Sequence, residues 1–250
     1  EAQLWSKAMR IRALVPTLRT VIRVAPHDEA NAPHLPEGVL DFTAQRRQEV
    51  DDHLVSGRTI AADDIAAYFH TGGTTGAPKL ARHSHGAQVF TAWVCVQLQG
   101  TLASDVVING YPLFHVAGVL PGALTSFAAG SEVVIPTTSL FRSREVLGNY
   151  WRLVERYGAT VVSAVPTVLE ALANTPVGTA DISTLRYCRT GAAPLSPDLA
   201  ARFESLFGLH VHESLGMTEM AGISTITPPG VNAPVGCVGF RLPYTQLRVV

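Results

Sequence analysis

Cysteine is scarce in this chain: three residues, Cys95, Cys188 and Cys237, lie far apart in 250 positions. A scattered, odd-numbered set offers no disulfide framework and fits a reducing compartment, so a cytoplasmic location is expected. Charge is scarce too. Charged residues make up 16%, the formal net charge is −1, and no Lys or Arg run could track a phosphate backbone. Nucleic acid is therefore not an expected partner. Long apolar runs are also missing. The two greasiest stretches, 87–98 and 116–129, are broken by Gln97 and Pro121. Neither reaches the ~18 residues that a membrane-spanning helix needs, so no transmembrane segment is expected and both read as buried helices. The first residues lack the charged-then-apolar pattern of a signal segment. The last five, Gln246-Leu247-Arg248-Val249-Val250, read as a strand. A chain stopping in mid-strand leaves backbone groups unpaired, so the expectation is a piece of a longer protein.

What the chain does have is apolar bulk. Hydrophobic residues make up 47%, enough for a substantial core at this length. Residues 4–18 show helical spacing that stops near Pro16, 20–24 read as a short strand, and 45–53 as a polar helical stretch in an otherwise loop-rich region. From Asp64 the rhythm tightens. Strands are expected at 65–69, 79–83, 106–109, 132–136, 160–164, 185–190 and 210–213. Helices are expected at 86–99, 119–129, 143–157, 167–173 and 197–207, with Gly158 and Gly208 as stop signals. Strands separated by single helices imply parallel pairing with right-handed crossovers. The fold class is α/β, with mostly parallel sheets and helices on both faces.

The sharpest local feature is Thr71-Gly72-Gly73-Thr74-Thr75-Gly76-Ala77-Pro78-Lys79. Glycines let the backbone approach an anion and take φ > 0. Successive N–H groups form a concave nest for phosphate, the Thr hydroxyls add donors, and Lys79 adds a positive charge. A Walker-type loop needs Gly-Lys followed by Ser or Thr. Pro78 and Leu80 break that pattern, so the loop is expected to join two strands. A Gly-rich hairpin without a ligand is the bland reading of this segment alone.

Three further blocks follow. Tyr111-Pro112-Leu113-Phe114-His115-Val116-Ala117-Gly118 sets a histidine beside an aromatic, which by itself is more often packing than chemistry. Thr190-Gly191-Ala192-Ala193-Pro194-Leu195-Ser196 reads alone as a loop and helix cap before Pro197. Glu213-Ser214-Leu215-Gly216-Met217-Thr218-Glu219 could simply place acid at a helix start. The paired histidines His83/His85 and His210/His212 have i, i+2 spacing but no nearby carboxylate or thiol set, so a zinc site is not expected.

Together these blocks resemble the adenylate-forming (AMP-binding) superfamily. They match its T-S-G-T-T-G-x-P-K loop, P-x-F-H-x-x-G block, G-x-A-P turn and Y-G-x-T-E block. Val235-Gly236-Cys237-Val238-Gly239-Phe240-Arg241-Leu242-Pro243 resembles the passage into its small barrel. The chain departs from the pattern at Gly72, where Ser is usual, and at Leu215, where Tyr is usual. Within the superfamily the likeness is to acid–CoA ligases. It implies activation of a fatty or aryl carboxylic acid by ATP with Mg²⁺, then thioester formation with CoA. It further implies Thr71, Gly72, Gly73, Thr74, Thr75, Gly76 and Lys79 at the phosphates. Gly191, Ala192, Ala193 and Pro194, with Glu213, Ser214, Leu215, Gly216 and Met217, would lie along the nucleotide. Thr218 would meet the α-phosphate and Glu219 the metal. His115, Val116, Gly118, Val165, Gly191, Gly216 and Met217 would form the acid pocket.

The implied organisation runs 1–110 as the end of a first subdomain, 111–228 as a second, and 229–250 as the start of a barrel, without the mobile C-terminal domain. Two rival readings remain: a carrier-protein-loading adenylation domain, and a catalytically silent nucleotide-binding homologue. Oligomeric state is written in none of these blocks.

Overall fold

Short apolar runs alternating with amphipathic stretches give strands and helices in turn. A computed structural model describes residues 2–24, 35–50, 52–53, 55–71 and 79–248. Two compact units result, Glu1–Thr59 and Ile60–Val250.

In the first unit, helix α1 (Ala2–Leu14) ends just before Pro16. Strands β1 (Val21–Arg23) and β2 (Val39–Asp41) pair in parallel, Val21 opposite Val39. Helix α2 spans Phe42–Arg46, short of the expected 45–53. Extended Asp41 caps it, its carboxylate accepting the Ala44 N–H at 2.9 Å, and the helix therefore starts earlier than side-chain periodicity suggested.

The second unit opens with a hairpin of β3 (Ile65–Thr71) and β4 (Lys79–Ser84), antiparallel with Thr71 opposite Lys79. Ser84 caps α3 (His85–Gln99), and Gly100 closes it at φ +57°. Strand β5 (Val106–Ile108) follows. The expected helix at 119–129 begins earlier, as α4 (Val116–Val119), and passes through a π turn at Leu120–Leu124 into α5 (Thr125–Ala129). Pro121 brings no N–H to an α-ladder, and wide turns absorb such a fault. Strand β6 (Glu132–Val134) comes next. The expected helix at 143–157 is divided at Asn149 into α6 (Arg144–Gly148) and α7 (Tyr150–Tyr157). Then come β7 (Val161–Ser163), α8 (Pro166–Ala173), β8 (Tyr187–Gly191), α9 (Pro197–Phe207), β9 (Val211–Leu215), β10 (Thr225–Ile226) and β11 (Phe240–Arg241). Residues 246–248 form no strand, because no described strand lies alongside to pair with them; 249–250 lie outside the described residues.

One seven-stranded sheet organises this unit, in the order β11-β10-β9-β8-β7-β5-β6. Strands β5 to β9 are mutually parallel, while β10 and β11 are antiparallel additions. Alternate residues face opposite sides. Ile108, Val162, Cys188 and Val211 meet Tyr150, Trp151, Leu169 and Phe203 from α7, α8 and α9 in the main core. Val107, Val161 and Tyr187 form a second buried cluster. Arg189, two residues beyond Tyr187 on the same side of β8, reaches Gln99 of α3 and the Pro121 carbonyl, so helical segments cover the other face as well.

The amino ends of the strands are latched by Asp105, which takes hydrogen bonds from Arg186 (2.7–3.1 Å) and from Thr160 (2.7 Å). Burial would raise the Asp105 carboxyl, but these donors outweigh it and hold it below its usual value. Among the described residues no helix is long and apolar enough to cross a membrane.

Candidate ligand-binding site

Strand order locates the crevice. From β5 the chain moves to one side for β6, then crosses β5 to place β7 on the other, so the carboxyl ends of β5 and β7 diverge at a switch point. Open parallel sheets take ligands there. A cavity of about 250 Å³ lies at that end, walled by Tyr111 after β5, Ser163 of β7, Arg189 to Gly191 of β8, and Ser214 of β9.

Much of the wall comes from the sequence blocks. His115, Val116, Gly191, Ala192, Ser214, Gly216, Met217 and Thr218 all border the cavity. Two glycines there are steric necessities. A Cβ on Gly191 would meet Ser214 Oγ at 2.8 Å, and one on Gly216 would meet the Gly222 carbonyl at 1.8 Å. Ala192 adopts φ +69°, an uncommon conformation for a residue with a Cβ. Thr190 Oγ1 is buried and has no hydrogen-bond partner among the described residues.

His115 has a defined orientation. It caps α4, its Nδ1 accepting the Ala117 N–H at 3.1 Å. In the neutral ring that leaves Nε2 as the N–H donor.

Other block residues stand off the cavity. Glu213 is buried and accepts the Gly236 N–H at 2.6 Å; Leu215 is half exposed; Ala193 and Pro194 face solvent. Gly118 lets the chain turn back tightly, since a Cβ would sit 2.3 Å from the Pro112 carbonyl. Val165 leads into α8 without lining the cavity.

The glycine–threonine loop joins two strands, as the broken Walker pattern implied. Gly72, Gly73, Thr74, Thr75 and Gly76 lie outside the described residues. At its base, Thr71 Oγ1 donates to the Lys79 carbonyl at 3.3 Å, and Lys79 is exposed. His83 of β4, which the sequence offered only as half of a histidine pair, has a defined structural role. Its ring is buried against Phe69, and Nε2 donates to the Thr218 carbonyl at 2.6 Å. That bond ties the hairpin to the Thr218–Met220 turn, which carries exposed Glu219. Among the described residues no group of three or more His, Cys, Asp or Glu could hold a metal alone.

Wall residues outside the sequence blocks include Gln99, Ser163 and Arg189. Arg189 carried a signal, as a lone cation within the buried strand Tyr187-Cys188-Arg189-Thr190.

These features define an α/β protein with a ligand crevice at the carboxyl ends of a parallel sheet, flanked by a glycine-rich hairpin. The chain matches the model of the AMP-binding enzyme family over residues 7–250 and belongs to that family. It is 33% identical over 219 residues to a marinolic acid–CoA ligase of Pseudoalteromonas sp. (strain SANK 73390), covering 86% of this chain and 34% of that one. It is 33% identical over 190 residues to an oxalate–CoA ligase of Arabidopsis thaliana, covering 70% and 35%. ATP-bound MatB from Rhodopseudomonas palustris superimposes with a TM-score of 0.63 at 31% identity, covering 73% and 35%. The anthranilate–CoA ligase AuaEII superimposes with a TM-score of 0.79 over 94% of this chain and 43% of that one; at 24% identity it speaks for the fold alone. The chain spans about a third of the length of the curated relatives it matches.

Proposed function

We propose that the protein containing this chain activates a carboxylic acid with ATP and passes the acyl group to CoA. The observation that carries this reading is the meeting of the His115, Gly191–Ala192 and Gly216–Thr218 segments in one crevice at the sheet's switch point. Family membership and the CoA-ligase names of the relatives support ATP and CoA as co-substrates. We further take 1–110, 111–228 and 229–250 as successive subdomains of that enzyme.

In the first step a carboxylate oxygen attacks the α-phosphorus. An acyl–O–P bond forms, and pyrophosphate leaves with the electrons of the broken P–O bond. In the second, the thiol sulfur of CoA attacks the acyl carbon, AMP leaves as its phosphate anion, and the thiol proton passes to solvent.

This chain's residues contribute positioning and charge. The Thr218 hydroxyl donates to the α-phosphate, and the loop amides of 72–76 with Lys79 cradle the β- and γ-phosphates. His115 offers Nε2–H to the acid's carboxylate. Gly191, Ala192 and Gly216 lie along the nucleotide.

Exposed Glu219 beside Thr218 suits Mg²⁺, a hard ion that commonly takes one carboxylate, waters and substrate phosphate oxygens. When bound, the ion neutralises phosphate charge. The residues present fit that role without a preformed protein cage.

The test is calorimetric titration with a non-hydrolysable acyl-sulfamoyl adenosine, on wild type and Thr218→Ala. Loss of one hydrogen bond to a charged group should weaken binding about tenfold or more. Equal affinity in the two proteins would remove Thr218 from the site and with it this reading.

A further inference from the structure

Among the described residues the cation in the cavity wall has no counter-charge. Arg189 is the third residue of β8, and its side chain lies on the cavity face. Its Nε–H donates to Ser163 Oγ at 2.9 Å, one terminal nitrogen donates to Gln99 Oε1, and the other to the Pro121 carbonyl at 3.1 Å. All three acceptors are neutral. A guanidinium carries five N–H donors, so two remain.

Among the described residues no carboxylate forms an ion pair with Arg189. Asp105 is committed to Arg186 at the opposite end of the strands. Glu213 belongs to the other face of its strand and binds the Gly236 amide. The titratable groups around the guanidinium, Tyr111, Tyr187, Cys95 and Cys188, are all pushed up by burial and stay uncharged at neutral pH. A half-buried cation among neutral groups is costly unless something anionic joins it.

We propose that Arg189 receives a second anionic group on the acid substrate, so that the site selects short dicarboxylic acids over simple fatty or aryl acids. This rests on the acyl-adenylate reading above. Gly191 and Arg189 point to the same side of β8, two residues apart, which places Arg189 about 6.5 Å deeper than the crevice mouth. A three- or four-carbon diacid spans that interval, with one carboxylate at the nucleotide and the other on the two free N–H groups. Ser163 and Gln99 hold the guanidinium in a fixed plane. Bidentate capture of a carboxylate by Arg needs such a plane.

The alternative is purely structural, with Arg189 fastening β7 and β8 to α3 and the π turn. The two roles separate in a matched-ligand experiment. Succinyl- and butanoyl-sulfamoyl adenosine have the same chain length and differ in a terminal carboxylate against a methyl group. Calorimetry on this chain should show the succinyl compound binding at least about tenfold more tightly. Arg189→Met should abolish or reverse that preference while keeping butanoyl binding within a few-fold, and Arg189→Lys should keep part of it. Equal wild-type affinities, or equal loss of both ligands in Arg189→Met, would overturn the proposal and leave the acyl-adenylate site standing. Binding of neither ligand to wild type would overturn both.

Discussion

At the scale of single residues, His115 performs two tasks that a substitution can separate. Its Nδ1 caps α4 by accepting the Ala117 N–H, and the residue borders the cavity, where Nε2 is the proposed donor to the acid. Asparagine keeps a cap acceptor but cannot place a donor at the position of Nε2. His115→Ala should therefore lose about 1 kcal/mol of stability through the cap and also lose acid binding. His115→Asn should hold stability near wild type while weakening the acyl-sulfamoyl ligand several-fold. Denaturant midpoints and titrations on both variants check this. Full ligand affinity in His115→Asn would assign the residue to capping alone.

At the scale of elements, two short connections shape the crevice. The His83–Thr218 bond fastens the hairpin to the turn after β9, and the Gly216–Gly222 crossing keeps that turn closed. A Cβ on residue 216 would meet the Gly222 carbonyl at 1.8 Å, and backbone cannot yield as a flexible side chain does. Gly216→Ala should push the 216–218 segment outward and weaken the acyl-sulfamoyl ligand at least about tenfold. The stability cost should be about 1–3 kcal/mol, as for other overpacked sites. Unchanged ligand affinity would show that the turn's closure is irrelevant to the site.

Alternation explains which residues of the Glu213-to-Thr218 block reach the cavity. Ser214 and Gly216 share a side, while Glu213 and Leu215 point away. A contiguous motif on a strand end therefore supplies the crevice with only part of its residues. The departure from Tyr at Leu215 falls on a side chain outside the cavity wall.

At the scale of the whole molecule, pH acts on the sheet through His212. Burial, and then neighbouring His210, pull His212 down to about 4, against a weaker opposing pull from Glu204. The ring packs edge-on against Tyr187 at 5.9 Å. In the unfolded chain the same imidazole titrates near 6.5. The unfolded state therefore binds more protons between those values. His212's contribution is fully present above about pH 6.5 and is lost as pH falls toward 4. Denaturant midpoints should be lower at pH 4.5 than at 7.5, and His212→Gln should flatten part of that slope. An identical slope in the variant would place the acid sensitivity elsewhere.

The sequence alone determined what depends on neighbours along the chain. Apolar spacing and glycine stops placed α3, α8, α9 and β3 to β9 close to where they form, since periodicity and caps act within a turn or a strand. Gly191, Gly216, Thr218 and His115 were marked by the resemblance of their blocks to the family's motifs, not by local chemistry alone. Tertiary structure decided what depends on residues far apart. The switch point between β5 and β7 exists only once strands 54 positions apart pair, as Val107 does with Val161. The helix break at Asn149, the π turn at Leu120–Leu124 and the unpaired 246–248 segment answer to packing and pairing. Arg189 took its place in the cavity wall, and His83 became a brace, through partners from 26 to 135 positions away. A hydrogen bond across that separation leaves no period in the sequence, because the loop entropy it must overcome is met by the whole sheet.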